Sequence, residues 1–279
     1  MTDTHREPAG WFEGVDPGDP GAAAAAIREG SAESPGEWPA LAVESGFADD
    51  EAAYYEALHG ATLRATRDAV REAETADDKQ LIHAVRAMDD CERVANELAE
   101  RVAEWAGSKR DDAGTGVAYA RELAEADTED PELRSLAGRV RDLDDEAGAL
   151  RARIERTAPE IAPNLAALAG PVLAARLIAL AGGLKKLARK PAGTVQVLGA
   201  EEALFAHLRG RAPSPKHGVI FTHEAVSGTH SDNRGSAARA LAGKLAIAAR
   251  IDHYSGDLRP ELEAELNDRI ERIQARDVE

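Results

Sequence analysis

Residues 159–256 hold 12 Lys and Arg against 6 Asp and Glu, in a chain whose formal charge is −17. Cations gathered in one segment of an acidic protein suit phosphate oxygens, because each neutralised phosphate releases condensed counterions. Charge asymmetry alone is equally compatible with a solvated basic face. Within the segment, Lys185, Lys186, Arg189 and Lys190 cluster at the end of an apolar helical pattern, and Arg209 and Arg211 leave a short amphipathic one. Arg234-Gly235 opens a last helix on which Arg239, Lys244 and Arg250 alternate with Ala and Leu. Basic side chains and free backbone amides at a helix start can hold phosphate oxygens. Arg239 and Lys244 are equally readable as ordinary surface charges, and Arg250 with Asp252 as a tie within or between helices.

Other chemistry finds less support. His217, His223, His230, Asp232, Asp252 and His253 share the segment, but their spacing matches neither HExxH nor paired CxxC and HxxxH ligand sets. No P-loop, GxGxxG or GxSxG is present. The expectation is a non-catalytic chain that holds neither metal nor cofactor. Aromatics make up only 4% of the sequence, so nucleic acid would be recognised through shape and backbone and not by stacking bases on aromatic platforms.

These residues must be positioned by helices. Leu81, Val85, Met88, Cys91, Ala95, Leu98, Val102 and Trp105 recur at spacings of three and four, giving one apolar stripe. After Asp130-Pro131, a cap and first-turn pair, Leu133, Leu136, Val140, Leu143, Ala147, Leu150 and Ile154 form a heptad seam. Such a seam wants a partner helix, from the same chain folding back or from a second subunit. Two such helices joined by a loop predict an antiparallel hairpin. Further on, Leu204, Phe205 and Leu208 are expected in the core, and Val219-Ile220-Phe221 as a short buried extended segment. Residues 1–46 are rich in Gly, Pro and acids, and pieces such as Trp38 to Val43 suit a small α/β module.

The single Cys91 excludes an internal disulfide and points to a reducing compartment. With a polar start from Met1 to Gly10, the chain is expected in the cytoplasm. The apolar run from Leu165 to Leu184 approaches a membrane length but contains Pro171, Arg176 and several Gly, so it reads as buried helix. Only 7 Lys accompany 27 Arg and 51 acidic residues, a halophilic balance.

Residues 191–256, PAGTVQVLGAEEALFAHLRGRAPSPKHGVIFTHEAVSGTHSDNRGSAARALAGKLAIAARIDHYSG, resemble the Nop domain. That family is built around GAEKALF, a PKHG segment, and RGK-type residues opening a helix that ends AGKLAIAARxD. LIHAVRAMDDCERVANELAERVAEW is similar to the family's LIQAVxxLDxLxxxxNxLxERLxEW, and Ala162 to Gly170 matches its APNLxxLxG segment. The resemblance spans roughly residues 77–256.

It implies a mainly α fold with a small α/β N-terminal domain (1–50, fibrillarin-binding), a helical and coiled-coil dimerisation region (51–158) and an α-rich Nop domain (159–256), which this sequence follows with an acidic C-terminal helix (257–279). It also implies the scaffold of a C/D box guide ribonucleoprotein. The partners would be the guide RNA, a kink-turn-binding ribosomal-protein homologue, a second copy of the chain, and a fibrillarin-like methyltransferase that uses S-adenosylmethionine. RNA contacts carried over by motif are Lys190, Gln196, Arg209, Arg211, Lys216, His217, Arg234, Arg239 and Lys244, with Gly199, Ala200, Glu201 and Glu202 at the ribonucleoprotein interface.

Departures are specific. Glu202 replaces a common Lys and Ala206 a common Arg, the stretch from Trp105 to Ala162 is short, and an acidic end replaces the family's basic tail. Three alternatives stay open: a coiled-coil assembly factor with little RNA affinity of its own, a spliceosomal-type Nop protein that recruits no methyltransferase, and, least supported by spacing, a metal-dependent enzyme built on the His and Asp residues above.

Overall fold

A computed structural model describes residues 10–31, 36–126 and 130–275. These residues contain helices and turns and no strand, in two compact units, Met1–Ala76 and Asp77–Glu279.

The first unit comprises α1 (Pro20–Glu29), α2 (Trp38–Glu44) and α3 (Glu51–Thr75). Asp19 Oδ1 accepts from Gly21 N at 2.8 Å, and Asp50 Oδ1 from Ala53 N at 2.7 Å, so each carboxylate satisfies an amide that its helix start leaves open. A small aromatic core of Phe12, Ala42 and Tyr54 is edged by Trp11 and Phe47. Trp11 Nε1 donates to Tyr54 Oη at 3.2 Å, so the indole is held at both its apolar body and its polar edge.

The α/β expectation for this region is not met among the described residues. Trp38 to Val43 is helical because Pro39 lies in the first turn, where a missing N–H costs nothing, and Trp38, Leu41 and Ala42 turn toward the aromatic core. Residues 1–9 and 32–35 of that expectation lie outside the described residues. The helix α3, grouped by sequence with the coiled-coil region, packs on α1 and α2.

The second unit begins with α4 (Asp77–Gly107), α5 (Gly116–Glu125) and α6 (Pro131–Ile161). Asp130 starts α6, accepting from Leu133 N at 3.2 Å ahead of Pro131, and its carboxyl is held below the usual range chiefly by the Lys109 ammonium. α4 and α6 form the antiparallel hairpin: the start of α4 shares a core with the end of α6, and the end of α4 with the start of α6. The seam is covered by the chain itself. Leu133, Val140, Ala147 and Ile154 are buried, while Leu136, Leu143 and Leu150 are only half-buried. At the tip α5 folds back, and Ala120 and Leu123 pack with Val102, Ala137 and Val140. On α4 the stripe drifts as a straight helix does over a heptad repeat, so Ala99 and Ala106 are buried and Trp105 is 37% exposed.

Beyond the hairpin come α7 (Pro163–Ala169), α8 (Pro171–Ala181), α9 (Leu184–Ala188), α10 (Ala192–Val197) and α11 (Glu201–Leu208). A 3₁₀ helix (Val219–Thr222), α12 (Glu224–Ser227), α13 (Arg234–Tyr254) and α14 (Glu261–Gln274) complete the unit. The apolar run from Leu165 is broken into α7 and α8, bent by 117° at Gly170. Among the described residues no single helix is long and apolar enough to cross a membrane. α8 ends at Gly182 in the left-handed region (φ 82°), and Asp78 of α4 accepts from Leu184 N at 2.9 Å to start α9.

α13 is the central rod. Nine of its residues are buried, mostly Ala, which lets α7, α9, α10 and α14 pack closely around it. The acidic C-terminal segment is helical and docks on α13 through Leu262, Leu266, Ile270 and Ile273; residues 276–279 lie outside the described residues.

Candidate nucleic-acid interface

The GAEE turn and the PKHG segment are brought together by backbone hydrogen bonds. Gly218 N donates to Gln196 O at 2.9 Å and Val219 N to Leu198 O at 2.7 Å, while Gln196 Nε2 donates to Lys216 O at 2.7 Å. Two glycines make this approach possible. Gly199 has φ 81°, and a β-carbon on Gly218 would sit 1.9 Å from the Leu198 carbonyl oxygen. Gly218→Ala should therefore lower stability by about 1–3 kcal/mol by prising the two segments apart. Thermal melting checks this against Gly193→Ala, where a β-carbon meets nothing within 4 Å.

That pairing positions a basic face. The His217 ring stacks on Phe221 at 4.6 Å between centroids and 20° between planes, and the Arg234 guanidinium lies 5.4 Å from the centroid of the same ring. Arg234 Nε donates to Thr229 O at 3.0 Å, which fixes the guanidinium at the start of α13. The Lys216 side chain runs past Gly235. Burial, aided by the charges of Arg234 and Lys216, pushes the His217 imidazole below its ordinary pKa. The cluster thus presents one fixed guanidinium, one exposed ammonium and a neutral ring at neutral pH, the guanidinium and the ring joined through an aromatic plate.

Phe221 went unread as part of this cluster. The Val219 to Phe221 run is a 3₁₀ helix with only Ile220 fully buried, not a buried extended segment. Its rotation turns Phe221 outward, and the signal was the spacing of Phe221 four residues after His217.

The other expected contacts have different neighbours. α11 buries none of its residues: Phe205 is 57% and Leu208 70% exposed, so the expected core positions form an apolar surface continuing into Arg209 and Arg211. No described element covers that side of α11. Glu201 Oε1 accepts from Gly199 N at 2.9 Å and so stays bound to its own turn, while Glu202 is exposed. Ala200 caps the same helix start. Lys190 lends its carbonyl to Arg250 Nη2 at 3.2 Å. Arg239 and Lys244 lie along the groove between α13 and α14, where Lys244 is paired with Glu265.

Asp252 is no partner of Arg250. It is buried, and its carboxylate accepts from Asn164 N at 3.0 Å, Asn164 Nδ2 at 2.7 Å and Leu165 N at 2.8 Å. Asn164 in turn donates to Asp257 O at 2.8 Å and accepts from Arg259 N at 2.6 Å. One carboxylate on α13 therefore starts α7 and fixes the turn into α14. The histidines divide among structural tasks: His223 Nδ1 accepts from Ala225 N at 3.1 Å to start α12, and its Nε2 lies 3.0 Å from Leu168 O of α7.

A family model described as Nop, the snoRNA binding domain, fibrillarin, matches residues 70–274. An uncharacterized NOP5 family protein of Methanocaldococcus jannaschii is 34% identical, over 82% of this chain and 65% of that protein. Nucleolar protein 58 of Schizosaccharomyces pombe is 34% identical over 64% of this chain and 43% of its own length. The chain thus spans less than two thirds of these relatives. Among solved structures, a chain of a fibrillarin/Nop5p complex shares the fold, with a TM-score of 0.56, 24% identity, and coverage of 90% of this chain and 91% of that one.

Proposed function

This chain belongs to the Nop family, and we propose that it is the non-catalytic scaffold of a C/D box guide ribonucleoprotein. The observation that carries the reading is the Lys216, His217 and Arg234 cluster around Phe221, held by the Gly199 and Gly218 turn. The Arg234 guanidinium fixed at the start of α13 and the exposed Lys216 ammonium beside Gly235 suit the phosphates of a kink-turn, and the neutral ring limits competing charge. The exposed Phe205 and Leu208 beside Arg209 and Arg211 suit a second contact, with the ribosomal-protein-like partner already bound to that RNA. Apolar area would do there what the family's missing charges at Glu202 and Ala206 do elsewhere.

The half-buried row of Leu136, Leu143 and Leu150 on the hairpin supports a homodimer, which would set two RNA faces in one particle. A fibrillarin-like methyltransferase is the third partner, bringing S-adenosylmethionine and the ribose 2'-O-methyl transfer with it. The test is reconstitution of methylation on a complementary RNA from methyltransferase, kink-turn protein, guide RNA and this chain. Omitting the chain should abolish guided methylation. Methylation that proceeds unchanged without it overturns the scaffold reading.

A further inference from the structure

We propose that α3 pairs antiparallel with α3 of a second copy of this chain, through an uncharged face that its own unit leaves open. Tyr55, His59, Thr62, Leu63, Thr66 and Val70 follow the helical repeat and fall within about 100° of one another around the axis. All six are exposed, Tyr55 by 52% and Val70 by 56%. The residues that α3 buries, Tyr54, Ala61 and Ala65, lie on a different side. No Asp, Glu, Lys or Arg falls on the open face, in a chain of which 30% is charged. Thr66 adds little polarity to it, because its hydroxyl already donates to Thr62 O at 2.8 Å.

The order of the residues identifies the occupant. A two-fold axis between Thr62 and Leu63 sets His59 opposite Thr66, Tyr55 opposite Val70 and, at the ends, Ala52 opposite Ala73, so the face reversed is its own mate. A contact between identical copies requires this self-complementarity, and an unrelated partner does not. Charge at the rim agrees. Glu56 and Arg67 stand on the same edge of the face, both exposed, and neither meets an opposite charge within ion-pair distance among the described residues. Like edges meet in an antiparallel pair, which brings Glu56 of each copy to within one turn of Arg67 of the partner subunit. From Ala52 to Ala73 the pairing runs about 33 Å, or roughly three heptads, enough for a seam. It is separate from the hairpin row of Leu136, Leu143 and Leu150, and where both pair, α3 joins hairpin dimers to one another.

Cysteine cross-linking of the full chain, in a Cys91→Ser background, tests the register. Leu63→Cys lies beside the axis and should cross-link to its own copy on mild oxidation. Val70→Cys should not, since its two copies stand about 22 Å apart along the pair, but it should cross-link when mixed with Tyr55→Cys. Leu143→Glu, on the hairpin row, should leave the Leu63→Cys cross-link intact. Sedimentation across a concentration series tests the energetics: Leu63→Glu should halve the mass of the assembly. Glu56→Lys should weaken association several-fold, and Glu56→Lys/Arg67→Glu should restore it. Every substituted side chain on α3 is exposed, and circular dichroism melting verifies the fold. Equal cross-linking of Leu63→Cys and Val70→Cys alone would overturn the antiparallel pairing. So would a Leu63→Glu variant that sediments like the full chain, including one that has lost only binding of a methyltransferase, which would assign the face to that protein.

Discussion

Replacing Asp252 with Ala should cost about 3–5 kcal/mol and lower the melting temperature by roughly ten degrees or more. The carboxylate is buried and takes three N–H groups, two of them the open amides at the start of α7. Such bonds to a charged acceptor are worth about twice neutral ones, and removing the acceptor strands three donors away from water. The damage should spread, because Asn164 also holds Asp257 O and Arg259 N and so the turn into α14. Asp252→Asn separates the contributions. It keeps one acceptor oxygen but presents an amide group to the remaining N–H donors, so it should fall between wild type and Ala. Chemical denaturation of the three proteins checks the order. An Ala variant within 1 kcal/mol of wild type would mean that the three bonds are replaced by water.

Lys216→Gln/Arg234→Gln should weaken binding to the partner-bound kink-turn RNA by about ten- to a hundredfold at moderate salt and flatten the salt dependence by about two charges. The hairpin should be untouched, since neither side chain belongs to the core that its seam residues form. The same site should bind with a pH signature. His217 is held below its ordinary pKa by burial and by the two neighbouring cations. A phosphate seated on those cations offsets their charge, so the imidazole pKa rises on binding and a proton is taken up. Affinity should therefore increase as the pH falls through the ordinary imidazole range, then level off below the free-state pKa. His217→Asn should remove this dependence while leaving most of the affinity at pH 8. Titration with fluorescently labelled RNA between pH 5.5 and pH 8 reads both effects.

How far the fold could be read from sequence depends on where each residue's partner lies. Leu133, Val140, Ala147 and Ile154 announced a seam because the heptad spacing is local and the burial it demands is repeated four times. The basic segment was legible for the same reason, as a local excess of charge. Phe205 and Leu208 misled because helical spacing shows that residues share a face, not that another element covers it. Trp38 to Val43 misled because a short apolar run carries no period long enough to separate strand from helix, and the first-turn Pro39 and the aromatic core decided it. Asp252 could not be assigned at all: its partner Asn164 is 88 residues away, and an acidic residue after Arg250 looks like a surface ion pair. The Phe221 cluster was half legible, its cations visible as charge and its ring hidden in an apolar run.

The hairpin seam also constrains how this architecture can change length. Its fully buried rows are seven residues apart, at Leu133, Val140, Ala147 and Ile154, and each faces α4. Adding one residue to α6 would rotate everything beyond it by about 100° and carry the tip helix off its packing face. Only whole heptads, inserted in both arms together, keep every knob opposite its hole, and each one moves the tip outward by about 10 Å. The hairpin therefore behaves as a ruler with discrete graduations.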